Sequence, residues 1–179
     1  MLAGELYLAS DAELREMNLR AQRILHAFNL SEPEAIEERR RLIKTLFRSV
    51  GTGCEIKPPL QCDYGSHITC GHQVFINYGC VILDCNRVNI GDRVLLGPSV
   101  QLYTASHPLD LDKRREGWEL ALPIEIGHDV WVGGSAVICP GVTIGEGSTI
   151  GAGSVVTKDI PAGVIAVGNP CRVVRRLDN

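Results

Sequence analysis

The sequence predicts a mainly β fold, a parallel β-helix preceded by a helical segment, and two observations lead to this class. From residue 126 onward an aliphatic side chain recurs at every sixth position, and glycine follows four of these residues. A strict period of six fits neither an α-helix nor an alternating strand, whereas each face of a β-helix coil is one short strand and one turn. The first 50 residues instead carry apolar side chains at helical spacing. The repeating residues are Ile126, Val132, Ile138, Ile144, Ile150 and Val156, and the glycines are Gly127, Gly133, Gly145 and Gly151.

Residues 1–53 are predicted to form an N-terminal segment of two amphipathic helices. Ser10 with Glu13, and Ser31 with Glu34, match the capping-box pattern at the start of each helix. Gly51 is expected to end the second helix. Two helices of this length do not form a stable core alone, so we expect them to pack on the rest of the chain.

Residues 54–179 are predicted to form the β-helix and a C-terminal tail. Small or branched side chains keep the period of six, four residues after the aliphatic positions. We expect successive coils to stack about 4.8 Å apart, with the aliphatic side chains inside. Weaker registers precede the main repeat, one through Ile56, Cys62, Ile68 and Val74 and another through Ile90, Leu96 and Leu102.

A polar segment interrupts the repeat at about 103–123. Leu102 and Ile126 are in phase, yet the residues between them are charged and do not follow the pattern. The segment is therefore predicted to loop out of the β-helix as an excursion, and long loops of this kind are usually functional. His107 lies near its start.

The composition excludes several classes of function. A net charge of -3 provides no basic face for nucleic acid. The sequence shows neither the apolar core of a signal peptide nor an apolar run long enough to cross a bilayer, so a cytoplasmic protein without a membrane partner is expected. The seven cysteines are odd in number and include no C-x2-C pair, which predicts small buried side chains rather than zinc ligands or disulfides.

The runs IGHDVWVGGSAVICPGVTIGEGSTIGAGSVVTKDIP and VGNPCRV resemble the hexapeptide-repeat acyltransferases. The N-terminal block AGELYLASDAELREMNLRAQRILHAFN, with CDYG at 62–65 and ASHP at 105–108, is similar to the maltose, galactoside and nodulation-factor O-acetyltransferases. The resemblance implies a left-handed β-helix, a homotrimer with active sites between subunits, acetyl-CoA as co-substrate and a small sugar as acceptor. It also places the N-terminal segment, residues 1–53, on the acceptor side. It implies no metal.

Two residues are expected to carry the chemistry. Transfer of an acetyl group to a hydroxyl needs a base near neutral pKa, and the imidazole of His107 suits that task. The match to the ASHP segment implies that His107 is the catalytic base. By the same resemblance, Asn77 in FINYG stabilises the tetrahedral oxyanion with its side-chain amide, close to the bound donor. In a trimer of this type Asn77 and His107 need not meet within one chain.

Carboxylates are expected to recognise the acceptor, because sugar hydroxyls donate hydrogen bonds. The resemblance implies Asp63 first and Asp84 next, whereas Asp11 and Arg20 are further candidates and Asp11 is also a candidate helix cap. The chain departs from the galactoside pattern at three positions, where Ala9 replaces an acid, Asn18 an arginine and Cys85 an aspartate.

The donor is expected to lie in a groove between neighbouring β-helices. Glycine and alanine backbones can approach a pantetheine arm closely, and basic residues near the C-terminus suit the phosphates of coenzyme A. Trp131 is expected to line this groove or a subunit interface. The remaining residues expected there are Gly133, Gly134, Ala152, Gly153, Thr157, Lys158, Arg172 and Arg175, with Arg176 beside them.

Other functions remain open at this point. Xenobiotic and serine O-acetyltransferases share the fold and the base, although not the N-terminal helical block. His67 and His72 have H-x4-H spacing and, with His107, could form a zinc site like that of the γ-class carbonic anhydrases. In that family, however, the lone histidine precedes the pair.

Overall fold

The computed structural model describes residues 1–177, which fold into a parallel β-helix with two helices packed on it. In chain order the elements are β1 (Tyr7–Leu8), α1 (Ala12–Asn29), α2 (Ile36–Leu46), β2 (Ser49–Val50), β3 (Glu55–Ile56), β4 (Leu60–Cys62), β5 (Ile68–Cys70), β6 (Phe75–Ile76), β7 (Cys80–Leu83), β8 (Val88–Ile90), β9 (Leu95–Leu96), β10 (Gln101–Tyr103), β11 (Ala105–Ser106), α3 (Leu111–Arg115), β12 (Trp118–Ala121), β13 (Ile124–Ile126), β14 (Trp131–Val132), β15 (Val137–Ile138), β16 (Thr143–Ile144), β17 (Thr149–Ile150), β18 (Val155–Val156), β19 (Val164–Val167) and β20 (Arg172–Arg176).

Three sheets form the faces of the β-helix. The first contains β2, β5, β8, β13 and β16, the second β3, β6, β9, β14, β17, β19 and β20, and the third β4, β7, β10, β15 and β18. Neighbouring strands in these sheets run parallel, except for the antiparallel pair β19 and β20. The six aliphatic residues of the predicted repeat are buried, five of them with no exposed surface. The predicted fold class and the inward direction of the repeat are therefore confirmed.

The coils differ in length. Val50 pairs with Cys70, and Cys70 with Ile90, so the first coils are 20 residues long. Ile126 pairs with Ile144, so the later coil is 18 residues long. The early register predicted through Ile56, Cys62, Ile68 and Val74 is therefore wrong after Cys62, because two extra residues shift the stacked positions to Cys70 and Ile76.

The extra residues of successive coils fall between the third sheet and the first, and they stack at one corner. We call this the irregular corner and define it as residues 63–67, 84–87 and 104–123. The last of these segments is the predicted excursion, which returns to the β-helix at Ile124. Within it β12 pairs antiparallel with β11 on one side and with β1 on the other, so the N-terminal strand closes over the excursion.

The two helices form as predicted but their ends differ. Asp11 rather than Ser10 caps α1, because its carboxylate accepts the backbone N–H of Glu13 at 2.8 Å. Ala35 precedes α2 and provides no side-chain cap. The second helix ends at Leu46, and Ser49–Val50 already pairs with β5, so the β-helix begins before residue 54. Pairing with the sheet here overrides the helical spacing of the sequence.

Both helices share one hydrophobic core with the coils. Ala21, Leu25 and Phe28 of α1 and Leu46 of α2 are buried in the cluster that also contains the inward residues of the β-helix. All seven cysteines are free thiols, five of them buried and two half-buried, as predicted for small apolar side chains. Within residues 1–177, no helix combines the length and the apolar character that crossing a membrane requires.

Candidate active site

A cavity of about 410 Å³ opens at the irregular corner. His107 of the excursion lines it together with Asp63 from the preceding corner segments and Glu119 from β12. Helix α1 closes one side. The cavity therefore brings an exposed imidazole to two carboxylates. The full lining is Ala9, Leu14, Arg15, Asn18, Asp63, Tyr64, Leu83, Cys85, Ala105, His107 and Glu119.

Asp63 is held on one wall of the cavity. Its backbone carbonyl accepts the side-chain amide of Asn18 at 2.9 Å, and its Oδ2 accepts the thiol of Cys85 at 3.3 Å. Burial raises the pKa of Asp63 above its usual value, although the Cys85 hydrogen bond lowers it and the charge of Glu119 raises it. Burial and the nearby Asp63 raise the pKa of Cys85 to about 12, so the thiol is a neutral donor. One oxygen of Asp63 thus remains for a ligand.

The opposite wall is tied to the N-terminal strand. The Tyr7 hydroxyl donates to Oε2 of Glu119 at 2.8 Å, across the β1–β12 pair. Burial raises the pKa of Tyr7, as do its contacts with Cys85 and Glu119. Tyr7 therefore stays protonated and fixes the carboxylate beside the cavity. Arg15 of α1 adds one positive charge to the rim.

Comparison with known proteins identifies this architecture. Residues 1–51 match the maltose acetyltransferase hexapeptide capping motif, and residues 123–158 match the bacterial transferase hexapeptide (six repeats). The chain is 44% identical to the galactoside O-acetyltransferase of Escherichia coli (strain K12) over 177 residues, which is 99% of this chain and 87% of the relative. The chain belongs to the hexapeptide-repeat O-acetyltransferase family.

Solved structures support the family assignment of this acetyltransferase. A maltose O-acetyltransferase from Clostridium difficile 630 superposes with a TM-score of 0.98 at 43% identity, covering 99% of this chain and 95% of the other. A galactoside acetyltransferase in complex with coenzyme A gives a TM-score of 0.96 at 44% identity, covering 98% and 88%. The similarity therefore includes the helices and the excursion as well as the repeat.

Asp84, expected to contact the acceptor, does not line the cavity of the acetyltransferase. Its side chain has no exposed surface, and it accepts backbone N–H groups of residues 63–67 from within the corner. The side chains before and after it, Leu83 and Cys85, face the cavity instead. The alternation of side chains along an extended chain explains this placement.

The N-terminal candidates are used for packing. Asp11 caps α1, as described above. Arg20 donates from Nη2 to the backbone carbonyl of Thr45 at 2.7 Å and so links α1 to the end of α2. Both lie outside the lining of the cavity that contains His107.

Asn77 lies apart from the cavity that contains His107. It is half-buried after β6, and its side-chain oxygen accepts the backbone N–H of Tyr78 at 2.8 Å. Because this hydrogen bond uses the side-chain oxygen, the NH2 group of Asn77 remains available as a donor. Within one chain of the acetyltransferase the two expected catalytic residues are therefore not brought together.

The residues expected at the donor groove lie on the later coils. Trp131 is 54% exposed on the second sheet, next to Leu95, which is 46% exposed. Gly133 has a packing reason to be glycine, because a Cβ there would lie 2.5 Å from the backbone N of Ala152. Gly153 has a φ of +68°, which favours glycine independently of any ligand. The exposed positions are Ala152, Gly153, Thr157, Lys158, Arg172, Arg175 and Arg176, whereas Gly134 is half-buried.

Two of the three histidines of the zinc alternative have their own hydrogen-bond partners, and the third, His107, lines the cavity. His67 is buried and its Nδ1 donates to the backbone carbonyl of Asp84 at 2.6 Å. His72 accepts the backbone N–H of Thr52 at 3.1 Å. In the part of the chain that is described, no three His, Cys, Asp or Glu side chains are grouped to hold a metal ion. Within one chain, the structure thus gives no geometric support to a zinc site like that of the γ-class carbonic anhydrases.

Sequence reasoning missed several residues of the cavity. Tyr7, Arg15, Tyr64 and Glu119 contribute to its walls or hold them, and none of them belongs to the repeat. The spacing of the inward residues nevertheless indicates where the irregular corner lies. The inward positions are spaced by six residues along each coil and by eight where a coil passes the irregular corner, for example from Cys62 to Cys70.

Proposed function

We propose that this acetyltransferase transfers the acetyl group of acetyl-CoA to a hydroxyl of a small sugar of the maltose, glucose or galactoside type. The observation that carries the proposal is the cavity in which the His107 imidazole and the Asp63 and Glu119 carboxylates converge. Carboxylates bind neutral polyols well because each oxygen accepts more than one hydroxyl. The names of the galactoside and maltose relatives agree with this acceptor class.

The proposed mechanism is a direct attack. His107 takes the proton of the acceptor hydroxyl as the hydroxyl oxygen attacks the thioester carbonyl. The C–S bond of the tetrahedral intermediate then breaks, and the proton passes from His107 to the sulfur, so that coenzyme A leaves as its thiol. The side-chain NH2 group of Asn77 donates to the oxyanion of the tetrahedral intermediate. Because Asn77 and His107 are apart within one chain, we propose that Asn77 is supplied by a neighbouring subunit.

A homotrimer with active sites between subunits would meet this requirement. Successive strands of the second sheet carry an outward apolar row of Phe75, Leu95 and Trp131, in which Leu95 and Trp131 are exposed and Phe75 is half-buried. The outward residues of the first sheet, by contrast, are polar, as with Asn89 and Glu125. An exposed apolar row next to a polar face is typical of a subunit interface. The basic residues Lys158, Arg172 and Arg175, which lie on the last coils, suit the phosphates of the donor.

The acceptor class is tested by a screen of mono- and disaccharides, with thiol release from acetyl-CoA as the readout. Maltose, glucose and a galactoside are expected to give turnover above the hydrolysis of acetyl-CoA alone. Serine and chloramphenicol are included, because the fold also occurs in amino-acid and xenobiotic acetyltransferases. Turnover with these compounds and none with any sugar would contradict the sugar proposal.

The base is tested with His107→Ala and a matched control, His128→Ala. His128 is also an exposed histidine, but it lies at a regular corner, where its Nδ1 accepts the N–H of Asp92. Loss of the base is expected to reduce kcat by about 10²-fold or more, whereas His128→Ala keeps kcat within about twofold of the original enzyme because it lies outside this cavity. Equal kcat values for the two variants would contradict the assignment of His107.

A further inference from the structure

Asp84 is a fully buried carboxylate that the proposed chemistry does not use. Its Oδ1 accepts the backbone N–H groups of Asp63 at 3.1 Å and Tyr64 at 2.8 Å, and its Oδ2 accepts that of His67 at 3.2 Å. The backbone carbonyl of Asp84 accepts Nδ1–H of His67 at 2.6 Å. One residue of the second corner segment therefore binds nearly the whole of residues 63–67.

This segment forms a wall of the acceptor cavity. Asp63 and Tyr64 both line the cavity, and the two N–H groups that Oδ1 accepts belong to these residues. Three converging N–H donors require an acceptor without a proton of its own, which only an ionised carboxylate offers among small side chains. An asparagine at this place would turn an NH2 group toward at least one N–H donor.

We propose that Asp84 is a positioning residue for the acceptor, which holds residues 63–67 so that the Asp63 carboxylate and the Tyr64 ring keep their places in the cavity. The proposal rests on the proposed function for the identity of the acceptor. It gives Asp84 no contact with the acceptor, since the side chain is fully buried.

The electrostatics of the corner agree with this role. Burial raises the pKa of Asp84 to about 6, while the N–H groups that it accepts and the neighbouring His67 lower it. The side chain is thus ionised in neutral solution and becomes protonated under mildly acidic conditions. The other titratable groups near it are Asp63, which is half-buried at the cavity, the buried thiol of Cys62 and the hydroxyl of Tyr64.

The first test is a steady-state comparison of Asp84→Asn with the original enzyme. The KM for the acceptor is expected to rise about tenfold, because the wall that carries Asp63 loses its charged anchor. The KM for acetyl-CoA is expected to stay within about twofold, because the donor residues lie on other coils. A rise of both KM values together, or of neither, would overturn the proposal.

Ser148→Ala is the matched control. Ser148 is a buried polar residue at a regular corner, where its hydroxyl donates to the Pro161 carbonyl and accepts the N–H of Val164. The substitution removes a buried hydroxyl that is hydrogen-bonded to two backbone groups far from the cavity. Lower thermal stability with an unchanged acceptor KM is expected for this variant, which separates loss of stability from loss of positioning. An acceptor KM raised as much as in Asp84→Asn would count against a specific role for Asp84.

A second readout does not depend on activity. Cys85 lines the cavity and its thiol donates to Asp63, so its alkylation by iodoacetamide reports whether that wall is in place. Peptide mass spectrometry is expected to show Cys85 alkylated about threefold faster or more in Asp84→Asn, because the released Asp63 no longer holds the thiol. Cys80, fully buried in the core, reports global unfolding and should keep its rate.

The two readouts separate two kinds of failure. If the original enzyme acetylates no sugar but Cys85 alone is alkylated faster in the variant, the proposed acceptor class is wrong and the anchoring role of Asp84 stands. An active original enzyme with unchanged acceptor KM and unchanged alkylation in Asp84→Asn would overturn the inference itself. If Asp84→Asn does not fold, His67→Ala removes the ring that donates to the Asp84 carbonyl and should give the same changes at smaller size.

Discussion

The irregular corner and the regular coils that follow it belong to one β-helix but differ in the spacing and polarity of their side chains. Between Ile126 and Val156 an inward aliphatic residue recurs at each sixth position and the coil length is constant. At the irregular corner the coils contain extra residues and an excursion. Of the six buried polar side chains among residues 1–177, four lie there, namely His67, Asp84, Asn86 and Thr104. Regular spacing therefore builds the scaffold, and interruptions of the spacing place polar groups where chemistry can occur.

The buried polar groups of the corner are connected to each other. Thr104 donates to the Leu83 carbonyl at 2.6 Å and accepts the N–H of Asn86 at 2.8 Å. The Asn86 amide in turn donates to the Ala121 carbonyl of β12 at 2.9 Å. Each corner segment is thus bonded to the next, up to the strand of the excursion that carries Glu119. A second cavity, of about 380 Å³, lies on the regular first sheet, and its lining includes Asn89, Glu125, His128 and Thr143. It contains one carboxylate rather than two, and that carboxylate already accepts the side-chain amide of Asn89 at 2.7 Å.

The largest effect on stability is expected in the regular coils. Ile138 is fully buried in the third sheet, and Ile138→Ala should lower the free energy of unfolding by about 2–5 kcal/mol because it leaves a cavity between coils. Chemical denaturation followed by circular dichroism measures this. The kcat and KM values of the folded fraction should be unchanged. A change in the acceptor KM would contradict the separation of the regular coils from the site.

The largest effect on acceptor binding, after the base itself, is expected at Asp63. Asp63→Asn keeps the volume of the side chain and removes its charge, which should lower kcat/KM for the acceptor by about 10- to 100-fold through loss of a charged hydrogen bond. The free energy of unfolding of this variant should change little, because the Asp63 side chain lines the cavity. A fall in kcat/KM for acetyl-CoA, measured at saturating acceptor, would mean that Asp63 acts on the donor and would contradict its assignment to the acceptor.

Glycines of the regular coils give an intermediate effect. A Cβ on Gly127 would lie 2.6 Å from the backbone N of Glu146 in the next coil, and Gly127→Ala should cost about 1–3 kcal/mol of stability through overpacking. Gly147→Ala is the control, because no atom lies within 4 Å of its added Cβ and only the φ of +67° is unfavourable. It should cost about 1 kcal/mol. A larger loss for Gly147→Ala would contradict the role given to coil stacking.

The smallest expected effect is a pH dependence from Asp84. Its folded-state pKa is raised to about 6, so the folded chain binds a proton that the unfolded chain does not. This contribution to stability is present at low pH and is lost as pH rises through about 6. When the pH is lowered from 8 to 5, the free energy of unfolding of the original enzyme should therefore rise by about 1 kcal/mol or more relative to that of Asp84→Asn. A constant difference between the two proteins would show that the Asp84 pKa is not raised.

The sequence predicted most of the scaffold because its pattern is local. The repeat of six from Ile126 to Val156 states which side chain faces inward, and the structure buries all of them. The position of the excursion followed from the same pattern, since Leu102 and Ile138 pair in register across it. The end of α2 did not follow, because Ser49–Val50 joins a sheet whose other strands come later in the chain.

The cavity could be predicted only in part. His107 and Asp63 stand in recognisable segments, and the structure brings both to one cavity. The pairing of Tyr7 with Glu119 depends on a contact between residues 112 positions apart, which no local pattern reveals. Asp84 lies next to cavity residues in sequence, yet its side chain points the other way. The direction of a side chain at an irregular corner is fixed by its hydrogen bonds and not by its position in the repeat.

The most direct test of the account is a crystal structure of the enzyme with coenzyme A and the best acceptor from the screen. The account predicts the sugar at the irregular corner, with one hydroxyl about 3 Å from the His107 imidazole and another on Asp63. A sugar bound elsewhere, such as against the regular first sheet between Asn89 and Gly145, would contradict it.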